Sequence, residues 1–164
     1  MGETGELGEF RLVDQDNREF AKPSLKGSIW VLDFFYTSCK AACPRMNREM
    51  KRLQQDFAGD NVRFLSISVD PDRDTPRVLA RYAGELGAHP GKWYFVTGPS
   101  EVVQRLQREA ANEEDPEEPT HSRRFFLADS DGYLRGFYNP LRRDDLEALK
   151  RDLRRLLKNP RRPV

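Results

Sequence analysis

The feature that most constrains this chain is the run Ile29 to Tyr36, almost wholly β-branched or aromatic and broken only by Asp33, which opens onto both cysteines of the protein, Cys39 and Cys43. Such a run reads as a strand buried on both faces of a parallel sheet, and it is the candidate central strand. Thr37 and Ser38 end it. Pro44 then suits the first position of a helix, where its fixed φ is favourable and its missing N–H costs nothing, which makes Cys43 the expected cap. Two thiols above a helix N-terminus feel the positive end of its dipole, and Lys40 and Arg45 add charge, so both are expected to ionise more readily than a free cysteine.

Two cysteines with three residues between them can form a disulfide, hold a soft metal ion together, or pack as small hydrophobes. The last reading is the weakest, because the only two cysteines of the chain fall within about one helical turn of each other at a strand end. Compared with a C-x-x-C pair, the extra residue widens the loop, which relaxes tight redox geometry and leaves room for an ion. Two thiolates rarely complete a metal site, and the sequence offers only His89 and His121 as histidine partners. From the residues alone, metal and redox chemistry stay equally open. A peroxidase reading is set aside, because the positions three before Cys39 and Cys43 hold Tyr36 and Lys40 rather than the threonine of a T-x-x-C pattern.

The rest of the chain alternates strands and helices. Phe10, Leu12 and Phe20 flank the turn formers Asp14 to Asn17 and predict an N-terminal hairpin. Met46, Met50, Leu53 and Phe57 recur at helical spacing up to Gly59, and Val62 to Val69 form the next buried strand of a βαβ unit. In Asp70 to Pro76, Thr75 caps a second helix with Pro76 at its first position. The three aspartates there lack the glycine and distal glutamate of a calcium loop, so turn and capping chemistry accounts for them. His89 reads as an exposed loop residue before a strand at Trp93 to Val96, and Ser100 as the cap of a third helix. Residues 112–120 are acidic, contain prolines and carry no apolar side chain, which predicts a mobile loop delivering the chain to His121. A hairpin at Phe125 to Tyr138, turned by Ser130, Asp131 and Gly132, precedes a helix from Asp144 with Leu146, Leu149, Leu153 and Leu156 on one face. Its arginines, Arg142, Arg143, Arg151, Arg154 and Arg155, read as a solvated face.

The motifs FYTSC, CPRM, VRFLSISVDPDRDTP, WYFVTG and HSRRFFLADSDGYLRGFY resemble, in that order and over nearly the whole chain, the Sco (SenC) family of copper-binding cytochrome oxidase assembly proteins. The resemblance implies a thioredoxin-like α/β fold with a central mixed sheet flanked by helices. It also implies copper, as Cu(I) or Cu(II), held by Cys39, Cys43 and His121, with the two cysteines also serving as a redox pair. His121, at the edge of the predicted mobile loop, would then swing towards the cysteines when the metal arrives. The family usually has proline after the first cysteine, whereas this chain has Lys40, which leaves the loop less constrained. The implied function is a metallochaperone for the CuA centre of cytochrome c oxidase subunit II, with thiol-disulfide reduction of a partner as the alternative. Another copper chaperone or a thioredoxin-like reductant would be further partners. Against this reading, Met46 and Met50 as copper ligands are less favoured than the same residues as core filling.

Composition sets outer limits. At 164 residues and 37% hydrophobic content, one domain with a real core is expected, spanning residues 9–158 between a flexible segment at 1–8 and a tail at 159–164. Twenty-eight basic against 27 acidic side chains give no argument for nucleic acid. No apolar run is long enough to span a bilayer, and MGETGELGEF lacks the basic and apolar regions of a signal peptide. The resemblance implies an N-terminal membrane anchor, so residues 1 to about 8 are expected to replace or follow one, on the extracytoplasmic side of the membrane.

Overall fold

The computed structural model describes residues 5–40, 43–111 and 124–160. The strands are β1 (Gly5–Glu6), β2 (Arg11–Asp14), β3 (Glu19–Ala21), β4 (Ile29–Phe35), β5 (Val62–Ser68), β6 (Trp93–Thr97), β7 (Phe125–Ala128) and β8 (Tyr133–Tyr138). The helices are α1 (Cys43–Asp56), α2 (Pro76–Leu86), α3 (Ser100–Ala111) and α4 (Arg143–Lys158), with a short 3-10 turn at Lys22–Leu25. All eight strands form one mixed sheet in the order β1-β8-β7-β4-β5-β6-β2-β3. The expected central strand is central: every residue of β4 is buried, pairing parallel with β5 and antiparallel with β7.

Strand alternation sorts the core into two layers. Ile29, Val31 and Phe35 of β4 face α1, α2 and α4 together with Phe64, Trp93 and Phe95, whereas Trp30, Leu32 and Phe34 face α3 and the N-terminal elements. The three helices on the first layer supply the residues their spacing predicted, among them Met46, Met50 and Leu53 from α1, and Leu149, Leu153 and Leu156 from α4. Met50 has no exposed surface and Met46 only 3%, so both are core filling.

Local signals operate as written. Thr75 caps α2, its hydroxyl accepting from the Val78 N–H (3.3 Å), and α2 ends at Gly87 with φ +75°, a left-handed value that favours glycine. Asp129 turns the last hairpin by accepting from the Asp131 and Tyr133 N–H groups (3.0 and 3.1 Å), with Gly132 at φ +86°. The N-terminal hairpin forms from β2 and β3, and β2 also joins the sheet edge beside β6.

One expectation is corrected. Residues 5–8, placed in a flexible N-terminal segment, are built into the fold. Gly5 and Glu6 pair with Leu134 and Tyr133 of β8, Leu7 is 2% exposed in the second core layer, and the Gly8 N–H donates to Glu109 of α3 (2.9 Å). A single leucine among glycines and glutamates gives too short a pattern to read as a strand, yet β8 leaves an edge that the segment covers.

Candidate thiol and metal centre

Both cysteines sit where β4 hands over to α1. The chain leaves β4 at Phe35 and turns at once, the Cys39 N–H donating to the Tyr36 carbonyl (3.2 Å). The turn is tied down by Asp74, a carboxylate 1% exposed between β5 and α2. Asp74 accepts from the Thr37 N–H (3.1 Å), from the Thr37 hydroxyl and from the Ser68 hydroxyl (2.7 Å). Ser68 in turn accepts from the Asp70 N–H (3.1 Å), and the Val69 N–H donates to the Phe35 carbonyl (2.8 Å). The aspartate-rich stretch thus does more than turn and cap. Its third carboxylate fixes the floor of the thiol loop, a role marked in the sequence only by a threonine two residues before the first cysteine and an acid just before a helix cap.

Cys43 opens α1 with its side chain buried, Cys39 is half-buried, and Ser38 and Lys40 are exposed. The two sulfurs lie within hydrogen-bonding reach of one another, and neither is in a disulfide. Burial pushes the Cys43 thiol up to about 12, and the Cys39 hydrogen bond and the nearby charges of Cys39 and Asp33 push the same way against a hydrogen bond from the Tyr36 backbone. The expectation that both thiols ionise readily is therefore corrected for Cys43: desolvation at the base of the loop outweighs the helix dipole. The Tyr36 phenol is raised as well, first by its hydrogen bond to Cys39 and then by the charge there.

Beneath Cys43 lies polar chemistry that the sequence reading passed over. Asp33 is 1% exposed on the layer facing α1, accepting from the Ser66 hydroxyl (2.6 Å), which itself accepts from the Trp93 indole N–H (3.0 Å). Burial raises its carboxyl to about 7 against the Ser66 hydrogen bond. Asn47, one turn along α1 from Cys43 and 2% exposed, donates its amide to the Tyr82 hydroxyl, while its Oδ1 has no hydrogen-bond partner among the described residues. Burial lifts the Tyr82 phenol to about 12, with the charge of Cys43 adding to it. Of these only Asp33 carried a signal, as the single charge in a buried run; nothing marked Asn47 or Tyr82.

The histidines divide. His89 is exposed in the loop before β6, its N–H donating to Gln54 Oε1 (2.9 Å), away from any thiol contact that the structure records. His121 and the predicted loop at 112–120 lie outside the described residues. Among the described residues no three histidine, cysteine or acidic side chains converge as a metal site, so Cys39 and Cys43 form a donor pair. Two sulfurs in reach of each other at a half-open loop fit a soft monovalent ion or a reversible disulfide equally well.

A mixed sheet with helices on both faces, carrying a cysteine pair where the central strand meets the first helix, defines a thioredoxin-like protein. The chain belongs to the SCO1/SenC family, whose sequence model matches residues 2–158. A SCO1/SenC family lipoprotein from Bacillus anthracis is 30% identical and superposes with a TM-score of 0.81 over 93% of this chain and 95% of its own. BsSco, described as having a disulfide switch and as a member of the Sco family of cytochrome c oxidase assembly proteins, is 26% identical, with a TM-score of 0.80 over 94% and 95%. Bradyrhizobium japonicum ScoI with copper bound is 26% identical, with a TM-score of 0.73 over 90% and 97%.

Proposed function

We propose that this chain is a copper-binding assembly factor for cytochrome c oxidase, which takes up copper through Cys39, Cys43 and His121 and passes it to the CuA domain of subunit II. The observation that carries the reading is the pair of sulfurs, not joined in a disulfide, within reach of each other where β4 hands over to α1. The SCO1/SenC match, the copper-bound relative and the oxidase-assembly description of BsSco support it. Two thiolates suit Cu(I), and an imidazole from His121 would extend the set to one that tolerates Cu(II). A carrier must also release its cargo. Few protein ligands, one of them half-exposed, allow incoming thiolates to displace copper stepwise.

The deciding experiment loads the reduced protein and its Cys39→Ser, Cys43→Ser and His121→Ala variants with one equivalent of copper, then mixes each with the metal-free CuA domain. Loss of thiolate-to-copper absorption in all three variants, and transfer from the wild type alone, is the expected result. A His121→Ala protein with unchanged Cu(II) absorption would remove His121 from the ligand set. The second reading, a thiol-disulfide reductase, is favoured by the asymmetry of the pair, with Cys39 accessible and Cys43 buried and protonated. Failure of transfer together with efficient reduction of an acceptor disulfide by the metal-free dithiol would establish it. For either activity we place the protein on the outer face of a membrane through an N-terminal anchor, in line with the relative described as a lipoprotein; no helix among the described residues is long and apolar enough to cross a bilayer.

A further inference from the structure

A groove of about 540 Å³ runs between α1 and α4, its lining on α1 beginning at Arg45, two residues after Cys43. Its floor includes Pro140, Leu141 and Leu146, and its charges are unevenly distributed. Two of its cations meet its three carboxylates: Arg52 pairs with Glu49 (2.8 Å), and Lys150 reaches Asp56 and Glu147 (3.6 and 3.9 Å). The remaining cations of the lining, Arg45, Arg48 and Arg143, are exposed and hold no ion pair or hydrogen bond among the described residues. Arg45 and Arg48 follow Cys43 by two and five residues, so their backbone positions lie within about 8 Å of it along the helix axis. The arginines further along α4 are otherwise engaged, Arg154 over the Phe57 ring and Arg151 and Arg155 beside Asp152.

We infer that this groove is the docking surface for an acidic patch on the partner protein that exchanges metal or disulfide with Cys39 and Cys43. The inference deepens the function proposed above and rests on it for the reactivity of the two thiols. Three guanidinium groups outside any ion pair, over a partly apolar floor, match the make-up of a protein interface, in which arginine is enriched at the contact and apolar surface fills the centre. Arg45 and Arg48, on the first turns of α1, put part of that charge close to Cys43 along the helix axis, so an anionic face steered to the groove arrives near the thiol loop. A sheet of anionic lipid headgroups fits less well, because an extended charged face would also meet Glu49, Asp56 and Glu147, whereas a small acidic patch can engage the three arginines alone.

The test uses three synthetic peptides with the same internal disulfide, flanked by glutamate, glutamine or lysine. The reduced protein gives up two electrons and two protons from Cys39 and Cys43, gaining its own disulfide while the peptide disulfide becomes two thiols, and the rate is followed at low and high salt. The acidic peptide should react about tenfold faster than the glutamine peptide at low salt, with the gap closing at high salt. In an Arg48→Glu, Arg143→Glu protein the preference should reverse, while the rate with the glutamine peptide stays unchanged. Equal rates for the three peptides, or a preference that survives the double substitution, overturns the inference. So does arginine-dependent binding to phosphatidylglycerol vesicles without any peptide preference, which assigns the groove to a membrane surface. A preserved acidic preference with no copper transfer to the CuA domain would instead retain the groove and refute the acceptor.

Discussion

Replacing Asp33 by asparagine should make this protein more stable above neutral pH and leave it almost unchanged in acid. The Asp33 carboxyl is raised from 3.8 to about 7 by burial, so the folded state binds a proton that the unfolded chain releases. Stability from this group is fully present below pH 3.8 and is lost as the pH rises through about 7, because an ionised carboxylate is then trapped between β5 and α1. At about 1.4 kcal/mol for each pH unit of that interval, the loss approaches roughly 4 kcal/mol, an upper figure since the site can relax when charged. Asparagine keeps an oxygen for the Ser66 hydroxyl and carries no charge. Urea unfolding of the disulfide form, in which neither thiol titrates, at intervals from pH 4.5 to 8.5 measures the difference. The two proteins should lie within about 1 kcal/mol at the acid end and diverge by several by pH 8.5, with the variant the more stable. A difference that stays constant across the range would show that Asp33 does not titrate in this window, and the burial argument would fail.

Four further outcomes are expected. Asp74→Ala removes a buried carboxylate that accepts from Thr37 and Ser68; it should cost about 2 to 4 kcal/mol in urea unfolding and slow the closing of the Cys39–Cys43 disulfide, whereas a variant that closes at the wild-type rate would mean that the turn holds itself. With limiting iodoacetamide at pH 7.5, mass spectrometry of the metal-free reduced protein should find the label on Cys39 first, and labelling of Cys43 should accelerate only as the pH climbs towards 12; equal labelling at neutral pH would refute the desolvation of Cys43. Leu7→Ala should destabilise the fold by about 2 to 4 kcal/mol, a cost that a mobile terminus would not show. Leu153→Ala, in the layer shared by α4 and β4, should cost about 2 to 5 kcal/mol in the same assay while leaving disulfide formation at its wild-type rate.

What was legible in the sequence is what periodicity and single-residue backbone chemistry control. The all-buried run marked β4, and helical spacing marked the faces of α1 and α4. Proline, threonine and glycine marked the start and end of α2. The cysteine pair was legible for the same reason, since its spacing is local and its place at a strand end follows from the run before it. Gly5 to Gly8 were not, because two residues of pairing and one buried leucine leave no period to detect. Nor was the protonated state of Cys43: a helix N-terminus can be read from Pro44, but the depth at which that terminus is buried depends on how the loop is held, and so on Asp74, 31 residues further along the chain.

That long-range hold links the two layers of the site. Thr37 is the hinge between them, fixed to Asp74 by both its N–H and its hydroxyl, so the loop carrying Cys39 is anchored to the end of β5 while Cys43 is anchored by α1 itself. One thiol therefore belongs to the sheet and the other to a helix, and their separation follows the packing of α1 on β4 and β5. Lys40, where the family resemblance implies proline, is exposed and makes no hydrogen bond or ion pair that contributes to that hold among the described residues. The hold of Asp74 on Thr37 therefore needs no proline after the first cysteine. A Lys40→Pro protein should form its disulfide at a rate within about threefold of the wild type, whereas Asp74→Ala should not. A large gain in the closing rate on introducing the proline would show that the loop, and not its anchor on Asp74, sets how the two sulfurs meet.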